Sequence, residues 1–213
     1  MKAMSLTNSL PARTLSVTGL ALRRGERLLF ADVGFAVAPG EILLLRGPNG
    51  AGKTSLMKCL AGFLRPDAGS VVFSGQDGEE RWEEDVHFLG HLSAVKGRLK
   101  VAENLEAWAA LNGGEGDVMA ALRRVGLASI AGLDAGYLSA GQTRRLALAR
   151  LLVSPRPIWL LDEPTSALDK DGDRLVGELI DAHLAAGGLA VAATHLELRI
   201  ADGTRVRTLE LGA

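Results

Sequence analysis

The sequence predicts an α/β fold with a mainly parallel sheet, an antiparallel β edge and a helical subdomain. Continuous apolar runs bounded by turn residues are typical of strands that are buried on both faces of a parallel sheet. Three such runs occur, at 41–47 (EILLLRG), 158–162 (IWLLD) and 189–194 (LAVAAT). Alternating apolar residues in TLSVTGLAL and ADVGFAV predict the antiparallel edge, from about residue 13 to 40.

The first half of the chain is expected to contain a tail and the start of one domain. Residues 1–12 are interpreted as a flexible tail, and residues 13–213 as a single domain. The segment KTSLMKCLAGF has helical spacing, which places Leu56, Leu60 and Phe63 on one face. VVFSG and VHFLG, which follow it, predict two short strands.

A helical subdomain is predicted at about 92–155. The pattern is helical over 101–125, is interrupted by a loop at 112–116 (NGGEG), and becomes helical again near Ala140. A helix over 171–186 then separates the second and third apolar runs, and a last strand is predicted near VRTLEL.

Composition excludes several classes of protein. The chain has 213 residues, of which 47% are hydrophobic, so one substantial core is expected. A formal net charge of −1 provides no basic field, and we expect no nucleic-acid partner. Cys59 is the one cysteine, so the chain cannot form an intrachain disulfide and a reducing compartment fits best. The most apolar stretch, 184–194, is short and contains two glycines, so we expect no membrane span.

GPNGAGKT (47–54) matches the phosphate-loop pattern G-x-x-x-x-G-K-[ST] and lies between a predicted strand and a predicted helix. Its backbone N–H groups would surround phosphate oxygens, Lys53 would reach the β- and γ-phosphates, and the Thr54 hydroxyl would ligate Mg²⁺. We therefore predict a nucleotide site. Its residues are Gly47, Pro48, Asn49, Gly50, Ala51, Gly52, Lys53, Thr54 and Ser55.

Two further strand ends are followed or ended by candidate metal-binding and catalytic residues. Asp162 ends an apolar strand and would hold the Mg²⁺ shell, while Glu163 would orient or deprotonate a water molecule. His195 follows the third apolar run, where it could hydrogen-bond a γ-phosphate. Alone, the acidic pair could be a solvated turn and the histidine a structural one; together they would open on one crevice. Glu163, His195 and Lys53 are the predicted catalytic residues.

LSAGQ (138–142) is a small-residue turn at the start of a predicted helix, where unpartnered N–H groups favour an anion. The chain thus carries a second anion site besides the phosphate loop. Its candidate residues are Leu138, Ser139, Ala140, Gly141 and Gln142. The arginines that follow, Arg144, Arg145 and Arg150, are expected to face solvent or to form ion pairs.

The motifs GPNGAGKT, LSAGQ, LLDEP, SALD and ATH, in this order, resemble the nucleotide-binding subunits of ABC transporters, in which Ala140 is usually Gly. The resemblance covers nearly the whole chain and implies ATP and Mg²⁺ as ligands. It also implies a second copy of the chain, paired head to tail. Ser139 and Gly141 would then contact the γ-phosphate of the ATP on the other copy, which explains the second anion site.

Two positions depart from the family. The aromatic residue that usually stacks on adenine corresponds to a position near Arg24, whose guanidinium could stack instead, with altered base selectivity. The family's sensing glutamine corresponds to His91. An imidazole can ligate a metal or orient water and also titrates, which an amide cannot. His91 is therefore a further candidate ligand of Mg²⁺.

The pattern GH…VK.RL...ENL, the absent aromatic and the short C-terminal segment resemble one branch of the family, the ATPase of bacterial cytochrome c maturation. This resemblance implies a peripheral protein on the cytoplasmic face of the inner membrane, bound to integral-membrane subunits. Its ATP hydrolysis would drive haem export or release of a haem-loaded chaperone. The stretch around 90–110 is expected to bind the membrane subunit, the alternative being an exposed helix start with solvated charges.

Several other classes of ATPase fit the sequence less well. Repair and chromosome-organising ATPases need a long coiled coil between Lys53 and Ser139, where no heptads occur. Translation types carry two cassettes in one chain, and P-loop kinases and GTPases lack LSAGQ. Another ABC importer or exporter, or a soluble iron–sulfur assembly ATPase, remains open at the level of the sequence.

Overall fold

The computed structural model describes residues 10–75, 83–201 and 203–212. Within them, two β-sheets and five α-helices form the fold. The strands are β1 (Arg13–Arg24), β2 (Arg27–Val37), β3 (Glu41–Arg46), β4 (Ala68–Gly75), β5 (Val86–Leu89), β6 (Ile158–Asp162), β7 (Leu189–Ala193) and β8 (Arg205–Glu210). The helices are α1 (Lys53–Leu60), α2 (Val101–Leu111), α3 (Val118–Arg124), α4 (Ala140–Val153) and α5 (Lys170–Ala185).

The larger sheet is parallel and has the order β5-β6-β7-β3-β8. All residues of β6 and β7 are buried, as the continuous apolar runs predict. Asp162 at the end of β6 is in register with Ala193 at the end of β7. This register places the acidic pair beside the segment that carries His195.

The antiparallel region forms a sheet of its own, with the order β2-β1-β4. Val17 of β1 is in register with Phe35 of β2 on one side and with Val71 of β4 on the other. The predicted edge over residues 13–40 therefore forms, and the stretch VVFSG extends it. The parallel sheet separates two core clusters, one towards α1 and this sheet and the other towards α2–α5.

Helix α1 is shorter than its pattern predicts. Leu56 and Leu60 are fully buried, but the helix ends at Leu60 and Gly62 follows in a left-handed conformation (φ 71°). Phe63 is 69% exposed and rests edge-on against Phe88, with ring centroids 5.3 Å apart. The prediction that Phe63 lies on the same helical face as Leu56 and Leu60 was wrong, because the glycine turns the chain away before the next helical turn.

Helices α2, α3 and α4 follow β5 and precede β6. The predicted loop at 112–116 separates α2 from α3 and packs on α4, where a Cβ on Gly114 would lie 2.3 Å from the Val153 carbonyl oxygen. The assignment of 13–213 to one domain with a helical subdomain at 92–155 stays a prediction.

Most of the predicted tail lies outside the described residues. Leu10, where the described chain begins, donates its backbone N–H to the Ala186 carbonyl at 2.9 Å. No helix in the described part of the chain is long and apolar enough to cross a membrane.

Candidate functional site

The phosphate loop connects β3 to α1, and its glycines are required by its backbone. Gly47, Gly50 and Gly52 have φ values of 132°, 81° and 97°, which residues with a side chain rarely adopt. A Cβ on Gly47 would also lie 2.2 Å from the Leu211 carbonyl oxygen. The loop therefore needs glycine at these three positions in order to curve as it does, in agreement with the motif.

Lys53 is 7% exposed, and its ammonium group lies inside this loop. Nζ donates to the carbonyls of Gly47 at 2.7 Å and Pro48 at 3.1 Å. The ion pairs found among the described residues do not include Lys53. A buried cation with only carbonyl partners is suited to an anionic ligand, since burial of an unpaired charge is costly.

Thr54 and Asp162 bring oxygen atoms to the same place. The Thr54 hydroxyl donates to Oδ1 of Asp162 at 3.3 Å, and Asp162 is 3% exposed. No group of three His, Cys, Asp or Glu side chains suited to a metal was found in the described part of the chain. This donor set fits Mg²⁺, which is commonly bound by one or two carboxylates together with phosphate oxygens of a substrate.

Glu163 follows β6 in a left-handed conformation, with φ 48°. Its N–H donates to the Ala193 carbonyl at 2.8 Å, which ties the turn to the end of β7. Its side chain meets His195, whose N–H donates to Oε2 at 3.5 Å and whose Nε2 lies 3.7 Å from Oε1. The carboxylate and the imidazole are thus close enough to act on one water molecule.

One cleft of about 730 Å³ brings together the predicted residues of three strand ends. Among the side chains that line it are those of Lys53, Thr54, Asp162, Glu163 and His195, and also His91. The shared crevice that was inferred from the strand ends is therefore present. Their catalytic and metal-binding roles stay predictions.

The same cleft is also lined by Arg24, Arg27 and Leu29. Arg27 was missed by the sequence analysis; its Nη2 donates to the Gly50 carbonyl of the phosphate loop at 3.3 Å. The described residues that line the cleft include no Phe, Tyr or Trp. Two guanidinium groups therefore lie where the resemblance would place one aromatic ring.

Arg46, the last residue of β3, was also missed. Its Nη1 donates to the carbonyls of Thr194 at 3.1 Å and Leu196 at 2.9 Å, on either side of His195. The arginine therefore holds the segment that presents the imidazole to the cleft. Its one sequence signal is a charged residue at the end of an apolar strand, immediately before the phosphate loop.

The LSAGQ residues lie outside this cleft, at the start of α4. The Ser139 hydroxyl accepts from the Gln142 N–H at 3.2 Å, and the Gln142 side chain accepts from the Ser139 N–H at 2.9 Å, which forms a capping box. A second cleft of about 270 Å³ is lined by residues 167–169 together with Ser139, Gly141, Gln142 and Arg145. Of the five LSAGQ positions, Leu138 and Ala140 are absent from this lining.

Two of the three arginines of α4 were predicted incorrectly. Arg144 is 3% exposed and Arg150 7% exposed, and both donate to backbone carbonyls. Burial lowers the pKa of both guanidinium groups. Arg145 forms the expected kind of ion pair, with Asp169 at 3.0 Å. The reason for the error is that α4 is surrounded by protein on most of its sides, so few of its positions face solvent.

Asn104, the asparagine of the ENL pattern, holds the preceding loop in place. The side chain is 4% exposed, and its Oδ1 accepts from the Lys96 N–H at 2.8 Å. Its Nδ2 lies within hydrogen-bond distance of the carbonyls of Lys96, Leu99 and Lys100. Asn104 therefore shapes the loop that exposes Lys96, Arg98 and Lys100.

The chain is similar to known proteins over most of its length. Residues 30–166 match the ABC transporter family. A Rhodopseudomonas palustris (strain BisB5) protein named "Cytochrome c biogenesis ATP-binding export protein CcmA" is 52% identical over 200 residues, which cover 93% of this chain and 98% of that protein. A Nitrosococcus oceani protein of the same name is 48% identical and covers 93% of this chain and 92% of its own. A solved Pyrococcus furiosus structure, described as a putative ABC transporter (ATP-binding protein), superposes with a TM-score of 0.79 at 26% identity, covering 93% of this chain and 97% of that one.

Proposed function

Because the chain belongs to the ABC transporter family and, within it, to the cytochrome c biogenesis ATP-binding export proteins, we propose a function in the same system. In this proposal it is the ATP-hydrolysing subunit of a bacterial inner-membrane ABC complex for cytochrome c maturation, which exports haem or releases a haem-loaded chaperone. The observation that carries the proposal is the convergence of Lys53, Asp162, Glu163 and His195 on one cleft. The names of the relatives favour export over iron–sulfur assembly, which the sequence alone left open.

Binding of ATP depends first on the phosphate loop. The backbone N–H groups of residues 47–55 and the Lys53 ammonium would hold the phosphates. To do so, Lys53 would replace its hydrogen bonds to the Gly47 and Pro48 carbonyls with bonds to phosphate oxygens. Thr54 and Asp162 would hold Mg²⁺, with His91 as a further candidate ligand. The metal, when bound, neutralises charge on the phosphate oxygens.

Hydrolysis would depend on Glu163 and His195. The Glu163 carboxylate accepts a proton from the attacking water, which makes the oxygen a better nucleophile. His195, 3.7 Å away, would hydrogen-bond the γ-phosphate and keep it in line with that water. Arg24 and Arg27, which line the same cleft, would stack on or contact the nucleoside, so that base selectivity is expected to be altered.

A second copy of the chain would complete the site. The clefts of LSAGQ and of the phosphate loop are distinct within one chain, although Ala167 and Leu168 line both. We propose that Ser139 and Gly141 of one copy cover the γ-phosphate held by the other, with the N-terminus of α4 directed at the anion.

The proposal is tested by two variants with different expected defects. Lys53→Ala should lose affinity for ATP, because the phosphates lose their ammonium partner. Glu163→Gln should bind ATP but hydrolyse it very slowly, because only the proton acceptor is removed. The second variant should also sediment as a dimer in the presence of Mg-ATP and dissociate when the nucleotide is removed.

The matched control for this experiment is Glu178→Gln, the same substitution at an exposed residue of α5 that pairs with Arg124. It should bind, hydrolyse and sediment as the parent does. Parent-like hydrolysis by Glu163→Gln in the assembled complex would reject Glu163 as the base.

The membrane subunit would dock on the surface formed by residues 90–110, which places the protein on the cytoplasmic face of the inner membrane as a peripheral subunit. On this surface Lys96, Arg98 and Lys100 are exposed around a loop held by Asn104, and Leu92 is 85% exposed. An acidic or helical segment of the partner would suit this mixture of cations and apolar area.

Charge reversal tests this surface. Lys96→Glu together with Arg98→Glu should reduce co-purification of the integral-membrane subunit while ATP binding by the subunit is retained. Reversal of two exposed arginines elsewhere, Arg123→Glu and Arg174→Glu, provides the control. Full assembly of the Lys96 and Arg98 variant would exclude the surface as the docking site.

A further inference from the structure

Arg144 is a buried cation that contacts the turn of the proposed catalytic base. It lies in α4, five residues after Ser139, and is 3% exposed. Its guanidinium makes four contacts, all with carbonyl oxygens: Nε to Pro164 (3.1 Å), Nη1 to Gly90 (2.7 Å), and Nη2 to Asp162 (2.8 Å) and Glu163 (2.6 Å). The ion pairs found within the described residues do not include Arg144.

Such burial is costly unless the charge is well satisfied. The planar fork of a guanidinium can satisfy several acceptors at once, which neither a lysine nor an uncharged side chain can do with the same geometry. Here its donors are used on three successive carbonyls, 162–164, and on one carbonyl of a separate segment. The arrangement therefore fixes a particular piece of backbone and does not simply fill space.

That piece of backbone is strained. Glu163 has φ 48°, a left-handed conformation that is unfavourable for a residue with a side chain. Such conformations persist only where the surroundings determine them, and they are common at functional sites. Arg144 binds the carbonyl before, at and after the strained residue. Without these bonds the turn could relax, and the Glu163 carboxylate would leave its place beside His195.

We infer that Arg144 is a positioning residue: it holds the Glu163 turn in the geometry for hydrolysis and links that turn to the LSAGQ helix. This inference rests on the proposed ATPase function. Because Ser139 caps the helix that carries Arg144, a shift of α4 on contact with the second copy's nucleotide would move Arg144 as well. The bond from Arg144 to Gly90 extends the link to the segment that carries His91.

The chain offers a matched control for a test. Arg150 lies on the same helix, is 7% exposed, and donates to the carbonyls of Ser93 and Ala94 at 2.6 and 2.8 Å, away from the Glu163 turn. Arg144→Gln and Arg150→Gln each remove a buried cation from α4, with four hydrogen bonds to backbone carbonyls lost at Arg144 and two at Arg150. Arg144→Lys, which keeps the charge but not the fork, serves as the conservative variant and carries the test if Arg144→Gln does not fold.

The readouts are kcat per assembled complex and the dissociation constant for ATP, measured below the melting temperature of each variant. Loss of the Arg144 fork should lower kcat about 10- to 100-fold, the scale expected when a catalytic group is misplaced by about 1 Å. The affinity for ATP should not change, because the Lys53 contacts are untouched. Arg144→Lys should recover part of kcat. Arg150→Gln should lower kcat less than Arg144→Gln does, because it loosens the loop of His91 but leaves the bonds to the Glu163 turn intact.

A double-mutant cycle separates positioning from general stability. If Arg144 acts through Glu163, the Arg144→Gln substitution should have no further effect on kcat in a Glu163→Gln background. Additive losses would overturn the inference, as would an equal loss of kcat in Arg150→Gln or a loss of ATP affinity in the Arg144 variants. A parent complex without ATPase activity would overturn the proposed function and this inference with it, whereas an active parent with parent-like Arg144 variants would overturn the inference alone.

Discussion

His91 is exposed on a loop whose backbone is held from within. Arg144 binds the carbonyl of Gly90, and Arg150 binds the carbonyls of residues 93–94. Within the described part of the chain the imidazole has no such hydrogen bond, and it lines the cleft with the acidic pair. The fixed loop therefore presents a side chain that is free to orient water or to approach a metal when nucleotide binds.

The effect of a substitution at His91 on ATPase activity should depend on whether the new side chain can form hydrogen bonds. His91→Gln should retain most of the ATPase activity of the assembled complex, because an amide also offers a donor and an acceptor. His91→Ala should lower the ATPase activity about tenfold, which is the lower end of the range for loss of an outer-shell partner at a metal site. The measurement is steady-state hydrolysis at saturating Mg-ATP. Parent-like activity of His91→Ala would make His91 an ordinary loop residue.

At the scale of elements, α5 supports the segment that follows His195. A Cβ on Gly177 would lie 1.9 Å from the Arg199 carbonyl oxygen, so the helix and the segment approach as closely as a glycine allows. Asp181, one turn later, accepts from the Ala201 N–H at 3.0 Å and from the Thr204 hydroxyl at 3.1 Å. The helix therefore holds Arg199, Ala201 and Thr204 through this close approach at Gly177 and through the Asp181 carboxylate.

Gly177→Ala should destabilise the protein, although alanine is favoured over glycine in a helix by about 1 kcal/mol. The new methyl group overlaps a carbonyl oxygen, and overpacking costs about 1–3 kcal/mol and occasionally more. The difference is about 0–2 kcal/mol, and because the overlap is with a backbone atom, the free energy of unfolding in urea should fall by an amount towards the upper end, about 2 kcal/mol. Gly132→Ala is the control, since nothing lies within 4 Å of the added Cβ there. Equal stability of the two variants would contradict the close approach.

Across the whole molecule, two histidines are buried as neutral side chains. His87 of β5 is 2% exposed and donates to the Ser154 carbonyl, while His183 of α5 is 6% exposed and donates to the Leu189 carbonyl at 3.0 Å. His183 also stacks on Trp159, with ring centroids 4.0 Å apart. Burial lowers the pKa of both imidazoles from 6.5 to about 4, against a smaller opposing effect of the carbonyls.

Acid should therefore destabilise the fold over a defined range. Between pH 6.5 and about 4 the unfolded chain binds protons at these two histidines and the folded chain does not, so stability falls as the pH falls. Each histidine contributes a slope that approaches about 1.4 kcal/mol per pH unit within this range. Urea unfolding at pH 7.0 and 5.5 measures the loss.

The control for this pH dependence is His183→Gln, in which an amide can still donate to the Leu189 carbonyl. It should lose roughly half of the slope contributed by the two histidines. An unchanged slope in this variant would assign the acid sensitivity to other groups.

Local patterns were enough to predict the parallel strands and the phosphate loop. A strand that is buried on both faces needs a continuous apolar run, and 158–162 and 189–194 show it directly. A loop with positive φ at Gly47, Gly50 and Gly52 needs glycine at those positions, whatever surrounds it. Because parallel strands end at one edge, the meeting of Glu163 and His195 followed from the same patterns.

Other features depended on contacts between residues that are distant in sequence. Phe63 is exposed because Gly62 ends the helix, and Arg46, Arg144 and Arg150 are defined by the carbonyls that they reach, up to 150 positions away in the chain. Every residue has a carbonyl group, so such an acceptor leaves no mark in the sequence. The sequence by itself determined which residues are candidates for the chemistry, while only the tertiary structure decided which buried cations bind the backbone around them.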